Sequence, residues 1–185
     1  IGQGEVAATP IQLANMTAAI ANRGFYYTPH LLKKIGKEPI DKPEYTERKY
    51  TTIDPEHFEP VVRGMADVYK KGTAKWLQVP GIEIAGKTGT VENFTRIEGV
   101  RTQLTDHSIF VAFAPVEKPE IAIAVYIENG YYGARYAGHI ASLLIEKYLI
   151  GEISRKDLER RMLEKTLEHE YAKPYSGSEF KINEY

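Results

Sequence analysis

Gly81 to Thr90 reads GIEIAGKTGT, and two different chemistries can be drawn from it. From Gly81 the spacing is G-x-x-x-x-G-K-T, in which backbone amides cradle phosphate and a helix starts at the Lys-Thr pair. From Lys87 the same letters spell K-T-G-T, which on a strand suits acyl transfer. In that reading Lys87 supplies positive potential to a substrate carboxylate and can polarise a neighbouring hydroxyl, while the Thr88 hydroxyl can hold that carboxylate. Gly89 carries no side chain to block an approaching substrate. The Thr90 N–H can donate to the oxyanion of a tetrahedral intermediate. Lys87 and Thr90 are thus the candidate catalytic residues, and Lys87, Thr88, Gly89 and Thr90 the candidate substrate-binding set. Alone, K-T-G is a weak motif, equally served by an edge strand with an exposed lysine.

The flanking residues choose between the two. A phosphate loop needs a buried strand before Gly81, but KWLQVP is short and ends in proline. It needs a helix after Lys87-Thr88, but Gly89, Thr90 and Val91 are poor first-turn residues. Between the glycines, Ile82 and Ile84 alternate with Glu83 and Ala85, which is strand periodicity. The strand at Ile121 to Glu128 could imitate the acid-ended strand of a nucleotide-binding protein, but a core strand explains it more simply.

The elements around the motif follow from punctuation and period. Thr9-Pro10-Ile11-Gln12 starts a helix with a capping box, Leu13, Met16, Thr17 and Ile20 follow helical spacing, and Gly24 stops it. Phe25 to Ile35 reads as extended, Lys37 to Glu47 as an exposed loop, and Arg48 to Thr52 as a short strand. A second helix opens at Asp54-Pro55, carries Phe58, Val61, Val62, Met65, Val68 and Tyr69 on one apolar face, and ends at Gly72. Val91 to Asp106 is polar and long for a connection, and is expected to be a mobile loop beside the site. Ser108 to Ala114 and Ile121 to Glu128 read as a buried antiparallel hairpin, covered by a helix from Ala137 to Gly151. A charged helix is expected from Ser154 to His169, then a loose tail from Pro174 to Tyr185. This is an α+β layout with an antiparallel sheet flanked by helices.

Taken in order, these segments resemble the class B penicillin-binding proteins, and within them the penicillin-binding protein 2 branch. IGQGEVAATPIQLANMTAAIANRGFYYTPHLL is similar to that family's G-Q-G segment, its following helix and a P-H-L stretch. IAGKTGT is similar to its third catalytic motif, DHSIFVAFAP and IAIAVYIENG to the next two strands, and ARYAGHIASLLIEKYLIG to its closing helix. The resemblance runs through residues 1–151, read as the C-terminal part of a penicillin-binding-protein and serine β-lactamase-like transpeptidase domain. Residues 152–185 are set apart as a charged helix and tail. It implies a peptidoglycan D,D-transpeptidase acting through a serine acyl-enzyme, with no metal or organic cofactor. The implied partners are D-Ala-D-Ala stem peptides, β-lactams, an N-terminal half of the same domain and the cell-elongation machinery. The implied location is the inner membrane, with the catalytic domain on the periplasmic side.

The family's nucleophile lies in an S-x-x-K motif, followed by S-x-N, both before G-Q-G. Ser178-Glu179-Phe180-Lys181 matches S-x-x-K but follows K-T-G and sits in a polar tail, and S-x-N is absent from the sequence. A piece of a longer enzyme is therefore expected, inactive by itself, whose first helix presents Leu13, Met16 and Ile20 to the part that carries the serine. The rival readings are a nucleotide-binding protein and an inactive scaffold module.

Composition agrees. The 185 residues, 43% hydrophobic and 26% charged, suffice for a core. A net charge of −1 gives no reason to expect nucleic-acid binding, and no apolar run approaches the length of a membrane span. Cysteine is absent, which excludes disulfides and thiolate metal sites and suits an oxidising compartment. His30, His57, His107, His139 and His169 have no metal-ligand spacing, so no metal site is expected. Asp106-His107 suggests a structural hydrogen bond, and Gln3 a turn near the cleft. Tyr131 and Tyr132 suggest a cleft rim or an exposed loop, and Trp76 a core or capping residue.

Overall fold

The computed structural model describes residues 3–171. The expected tail from Pro174 and the Ser178 match lie outside them. Helix α1, Pro10–Ala21, starts where proline at the first position predicts, and Gln12 Oε1 accepts the Thr9 N–H at 2.8 Å. Gly24, at φ +110°, turns the chain away. The face that α1 buries is made of Thr17, Ala19 and Ala21, small enough for close approach to the sheet. The Thr17 hydroxyl is satisfied by the Leu13 carbonyl at 2.8 Å. Leu13 and Ile20 are only partly buried and Met16 is 49% exposed.

Short elements come next: β1 (Phe25–Tyr26), β2 (Lys34–Ile35), β3 (Glu38–Pro39), α2 (Pro43–Thr46) and β4 (Lys49–Tyr50). β1 pairs with β4 and β2 with β3, both antiparallel. Helix α3, Phe58–Lys70, is entered through a 3₁₀ turn at Pro55–His57. Pro60 sits in its first turn, where a backbone N–H has no helical partner to lose. Its buried face is Phe58, Val62, Met65, Ala66 and Tyr69, with Val68 partly buried against the core, whereas Val61, expected on that face, is 46% exposed. A second 3₁₀ turn, Lys75–Leu77, buries Leu77 completely and turns Trp76 outward, 59% exposed. Of the two roles expected for Trp76, core or capping, the core one is excluded.

The sheet has the order β5-β6-β7, all antiparallel: β5 is Ala85–Ile97, β6 Val100–Ala114 and β7 Ile121–Ile127. Here the sequence reading of Val91 to Asp106 is corrected. The segment is no loop but the outer half of a long hairpin, paired from Val91↔His107 to Ile97↔Val100. Its polar composition misled because one of its faces is solvated and the other only partly buried, where polar residues cost a strand little. Glu98 and Gly99, at φ +51° and +83°, form the two-residue turn. Two positive φ values in succession match the twist of a tight hairpin.

Helices cover both sheet faces. Phe110, Ala112 and Ala114 pack with Ala137, Ala141 and Ile145 of α4, Ala137–Ile150, and with Tyr69 and Leu77. Phe113 and Ala85 pack on the opposite face with Val62, Met65 and Ala66 of α3 and Ala21 of α1. α4 ends at Gly151, whose φ of +90° is the left-handed conformation glycine adopts without strain.

The charged helix expected from Ser154 to His169 is two pieces, α5 (Lys156–Glu164) and α6 (Glu168–Tyr171). The Thr166 hydroxyl takes the Glu168 N–H at 3.1 Å, the local side-chain bond with which threonine competes against helix. The fully buried Glu146 fastens this segment to α4. It accepts from Ser154 N–H at 2.9 Å, from the Ser154 hydroxyl, and from Arg155 Nε at 2.9 Å.

Candidate active site

The K-T-G-T residues lie on β5, the strand at one side of the sheet. Lys87, Thr88, Gly89 and Thr90 stand opposite Val111, Phe110, Ile109 and Ser108 of β6. In an antiparallel ladder each residue turns its N–H and C=O to the same side, and alternate residues turn them to opposite sides. The Thr88 carbonyl accepts from Lys87 Nζ and the Thr90 carbonyl from Gln3 Nε2, each at 2.9 Å. Side chains reaching in from outside the ladder mark both carbonyls as pointing off the open edge. The amides of Thr88 and Thr90 therefore point there too, the orientation an oxyanion donor needs. Gln3 was expected to shape a turn near the cleft, and its amide lies directly on the motif.

Side-chain alternation starts Lys87 and Thr88 on opposite faces of the sheet. The flexible lysine nonetheless curls to the edge, where its ammonium meets the outward Thr88 carbonyl. The Thr88 hydroxyl faces a neighbour that sequence reading missed: Thr73 Oγ1 lies 3.3 Å from Thr88 Oγ1.

Beneath the motif is a wedge. A Cβ built on Gly133 would lie 2.4 Å from the Ile109 carbonyl oxygen, 2.5 Å from that of Gly89 and 2.7 Å from the Gly89 nitrogen. Only glycine allows the segment after β7 to press so closely on the K-T-G strand. Ser108 pins that segment, donating to the Tyr132 carbonyl at 3.0 Å and accepting the Ala137 N–H at 3.3 Å.

Past Thr90 the ladder slips one residue. Val91 faces His107 but Asn93 faces Leu104, so Thr105 and Asp106 bulge opposite Glu92. The Asp106 carbonyl takes the Tyr131 N–H at 2.9 Å. Thr105 donates to the buried Glu170 carboxylate at 2.5 Å, and the Tyr131 hydroxyl donates to the same carboxylate. Burial first, and then that hydrogen bond, push the Tyr131 phenol up to about 12. Arg135 lies over the Tyr131 ring, 4.2 Å from its centroid. Tyr131 is thus a fixed strut beside the bulge, while Tyr132 is half exposed. His107 accepts the Asn129 N–H on Nδ1 at 3.1 Å, a structural bond as its sequence context suggested.

The phosphate-loop reading fails on this geometry, because Lys87 and Thr88 are interior to a strand and no helix begins there. Among the described residues no group of three or more His, Asp or Glu gathers as metal ligands, and no helix is long and apolar enough to cross a membrane.

The family profile described as the penicillin binding protein transpeptidase domain matches residues 1–146. This chain belongs to that family. Among the family's members, the peptidoglycan D,D-transpeptidase MrdA of Acinetobacter baumannii is 38% identical over 160 residues, which are 81% of this chain and 24% of that protein. Penicillin-binding protein A of M. tuberculosis, solved as a ceftriaxone acyl-enzyme complex, superposes with a TM-score of 0.66 at 31% identity. That superposition covers 80% of this chain and 34% of that one. Pseudomonas aeruginosa PBP2, solved with WCK 5153, gives a TM-score of 0.63 at 33% identity, over 84% of this chain and 33% of that one. This chain thus spans about a quarter to a third of the length of such relatives. The mixed α+β architecture and the penicillin-binding resemblance read from the sequence are both borne out.

Proposed function

We propose that this chain supplies the substrate-binding edge and the oxyanion donor of a peptidoglycan D,D-transpeptidase. The observation that carries the reading is the open edge of β5, where the Thr90 amide points outward beside the Lys87 ammonium and the Thr88 hydroxyl. An extended stem peptide lies along such an edge as an added strand. Its terminal carboxylate meets Lys87 and Thr88, and Gly89 leaves the approach clear. A serine from the S-x-x-K segment, which precedes G-Q-G in the family, attacks the carbonyl between the two D-alanines. The Thr90 N–H stabilises the charge that develops on oxygen. The C–N bond breaks, the departing D-alanine amine takes a proton, and an ester to serine remains. An amine of a neighbouring strand then takes the acyl group and restores the serine. A β-lactam enters the same edge and stops at the ester, in keeping with the ceftriaxone acyl-enzyme of the M. tuberculosis protein.

The MrdA relative supports a cell-wall role; the inner-membrane location, the periplasmic catalytic face and the elongation-machinery partners are part of the same proposal. The transpeptidase part is assigned to residues 1–151 and the charged appendage to 152–185, a division supported by the family match ending inside α4.

The test uses the intact protein that carries this chain and its serine. Lys87→Ala and Thr88→Val should each slow acylation by a fluorescent penicillin without changing the unfolding midpoint. The loss of such an electrostatic contact is on the order of 2–4 kcal/mol in the barrier. Unchanged acylation in both variants would mean that K-T-G is a coincidence of sequence.

A further inference from the structure

We infer that Thr73 is a positioning residue for substrate binding, acting through the Thr88 hydroxyl. The inference rests on the reading of the β5 edge as a carboxylate site. Thr73 lies in the tight exit from α3, between two residues whose backbones are fixed. The Gly72 N–H bonds the Asp67 carbonyl at 2.9 Å, and the Ala74 N–H bonds the Val68 carbonyl at 3.0 Å. A Cβ on Gly72 would come within 2.8 Å of Val68 Cα, so the turn is closed too tightly for any side chain there. Ala74 and Leu77 are completely buried and anchor the far side of the turn. The turn thus holds Thr73 against the motif from outside the strand, with its Oγ1 3.3 Å from that of Thr88.

Proton counting sets the direction of the pair. Each hydroxyl has one proton to donate and two lone pairs to accept with. A bound carboxylate only accepts, so the Thr88 proton goes to it and the Thr88 oxygen is left to accept. Thr73 then donates to Thr88. The chain runs Thr73 to Thr88 to carboxylate, each bond polarising the next. Thr73 also fixes the rotation of the Thr88 hydroxyl, which otherwise turns freely toward water. Serine retains this function, whereas alanine and valine lose it.

In the intact protein, Thr73→Ala should lower the second-order rate of acylation by a fluorescent penicillin about fivefold, the worth of one ordinary hydrogen bond. Thr73→Ser should restore the rate. Both variants should unfold at the wild-type midpoint. In a Thr88→Val background the Thr73→Ala change should have no effect, because the group it acts through is gone. A structural role would slow the reaction equally in both backgrounds, and that result would overturn the inference. So would an unaltered rate in Thr73→Ala. If Thr88→Val by itself left the rate unchanged, the carboxylate reading of the edge would fail first and take the inference with it.

Discussion

Gly133→Ala is the substitution that most directly connects packing to chemistry in this fold. The added methyl would sit 2.4 and 2.5 Å from two carbonyl oxygens, those of Ile109 and Gly89. Carbon and oxygen in contact keep about 3.3 Å apart. About 0.8 Å must therefore open between the Gly133 segment and the K-T-G strand. The segment cannot easily yield. Tyr132 is held by Ser108, Gly133 accepts the Gly138 N–H at 3.0 Å, and Tyr131 is bonded to Asp106. Overpacking of this kind costs about 1–3 kcal/mol of stability. A shift of β5 by most of an ångström moves the Thr90 amide and the Thr88 hydroxyl together, and a misplacement near 1 Å costs on the order of a hundredfold in rate. The intact protein should therefore lose stability modestly, by denaturant midpoint, and lose penicillin acylation severely. A Gly133→Ala protein with wild-type acylation and an unmoved midpoint would refute the claim that Gly133 sets the position of the motif.

Glu146 and Arg155 give a second expectation. Glu146→Ala leaves the Arg155 guanidinium without its carboxylate and should destabilise by about 3–5 kcal/mol, measured by denaturant unfolding. Burial pushes the Glu146 carboxyl upward, but its bonds from Ser154 and Arg155 outweigh that and hold it below its ordinary value of 4.5. Its folded form is the better acid, so its contribution is present above pH 4.5 and drains away as pH falls below it. Glu146→Gln should flatten that acid limb, and an identical limb in both proteins would count against the pairing. At the hairpin tip, Gly99→Val places a β-branched residue at φ +83° and should cost about 1–2 kcal/mol. Amide exchange at Ile97 and Val100 should speed up, whereas unchanged protection there would contradict the assigned turn.

Much of the site's setting was legible in short-range pattern. The Thr9-Pro10-Gln12 box, the apolar face of α3 and the glycine after α4 are local signals, and each marked a real element. The K-T-G strand was legible from alternation, although regular pairing begins at Ala85 and not at Ile82. The hairpin beyond it was missed because a Glu-Gly turn is a weaker signal than Asn-Gly or Asp-Gly, and because polar strands lack the pattern that reveals buried ones. The 3₁₀ turn that swaps Leu77 inward and Trp76 outward breaks helical period after a single turn. Thr73 and Gly133 could not be read at all. Their importance comes from what they face across 15 residues for Thr73 and Thr88, and across the sheet for Gly133, and no local spacing encodes that.

The outward-facing edge of β5 also bears on solubility. Unpaired N–H and C=O groups on a strand are a template for any extended chain, another copy of the protein included. On the proposed reading, an edge that accepts one peptide backbone has to avoid recruiting a fibril. Here the receptive stretch is interrupted soon after Thr90 by the bulge opposite Glu92, which shifts the pairing register by one residue and increases the local twist. On its other side stands Lys87, whose charge repels a second copy of itself while attracting a carboxylate-ended peptide. Gln3 already occupies the Thr90 carbonyl and Lys87 that of Thr88, which leaves fewer acceptors on this edge for a second copy to pair with. On the proposed reading, the features that select for substrate at this edge are the ones that keep it from being sticky.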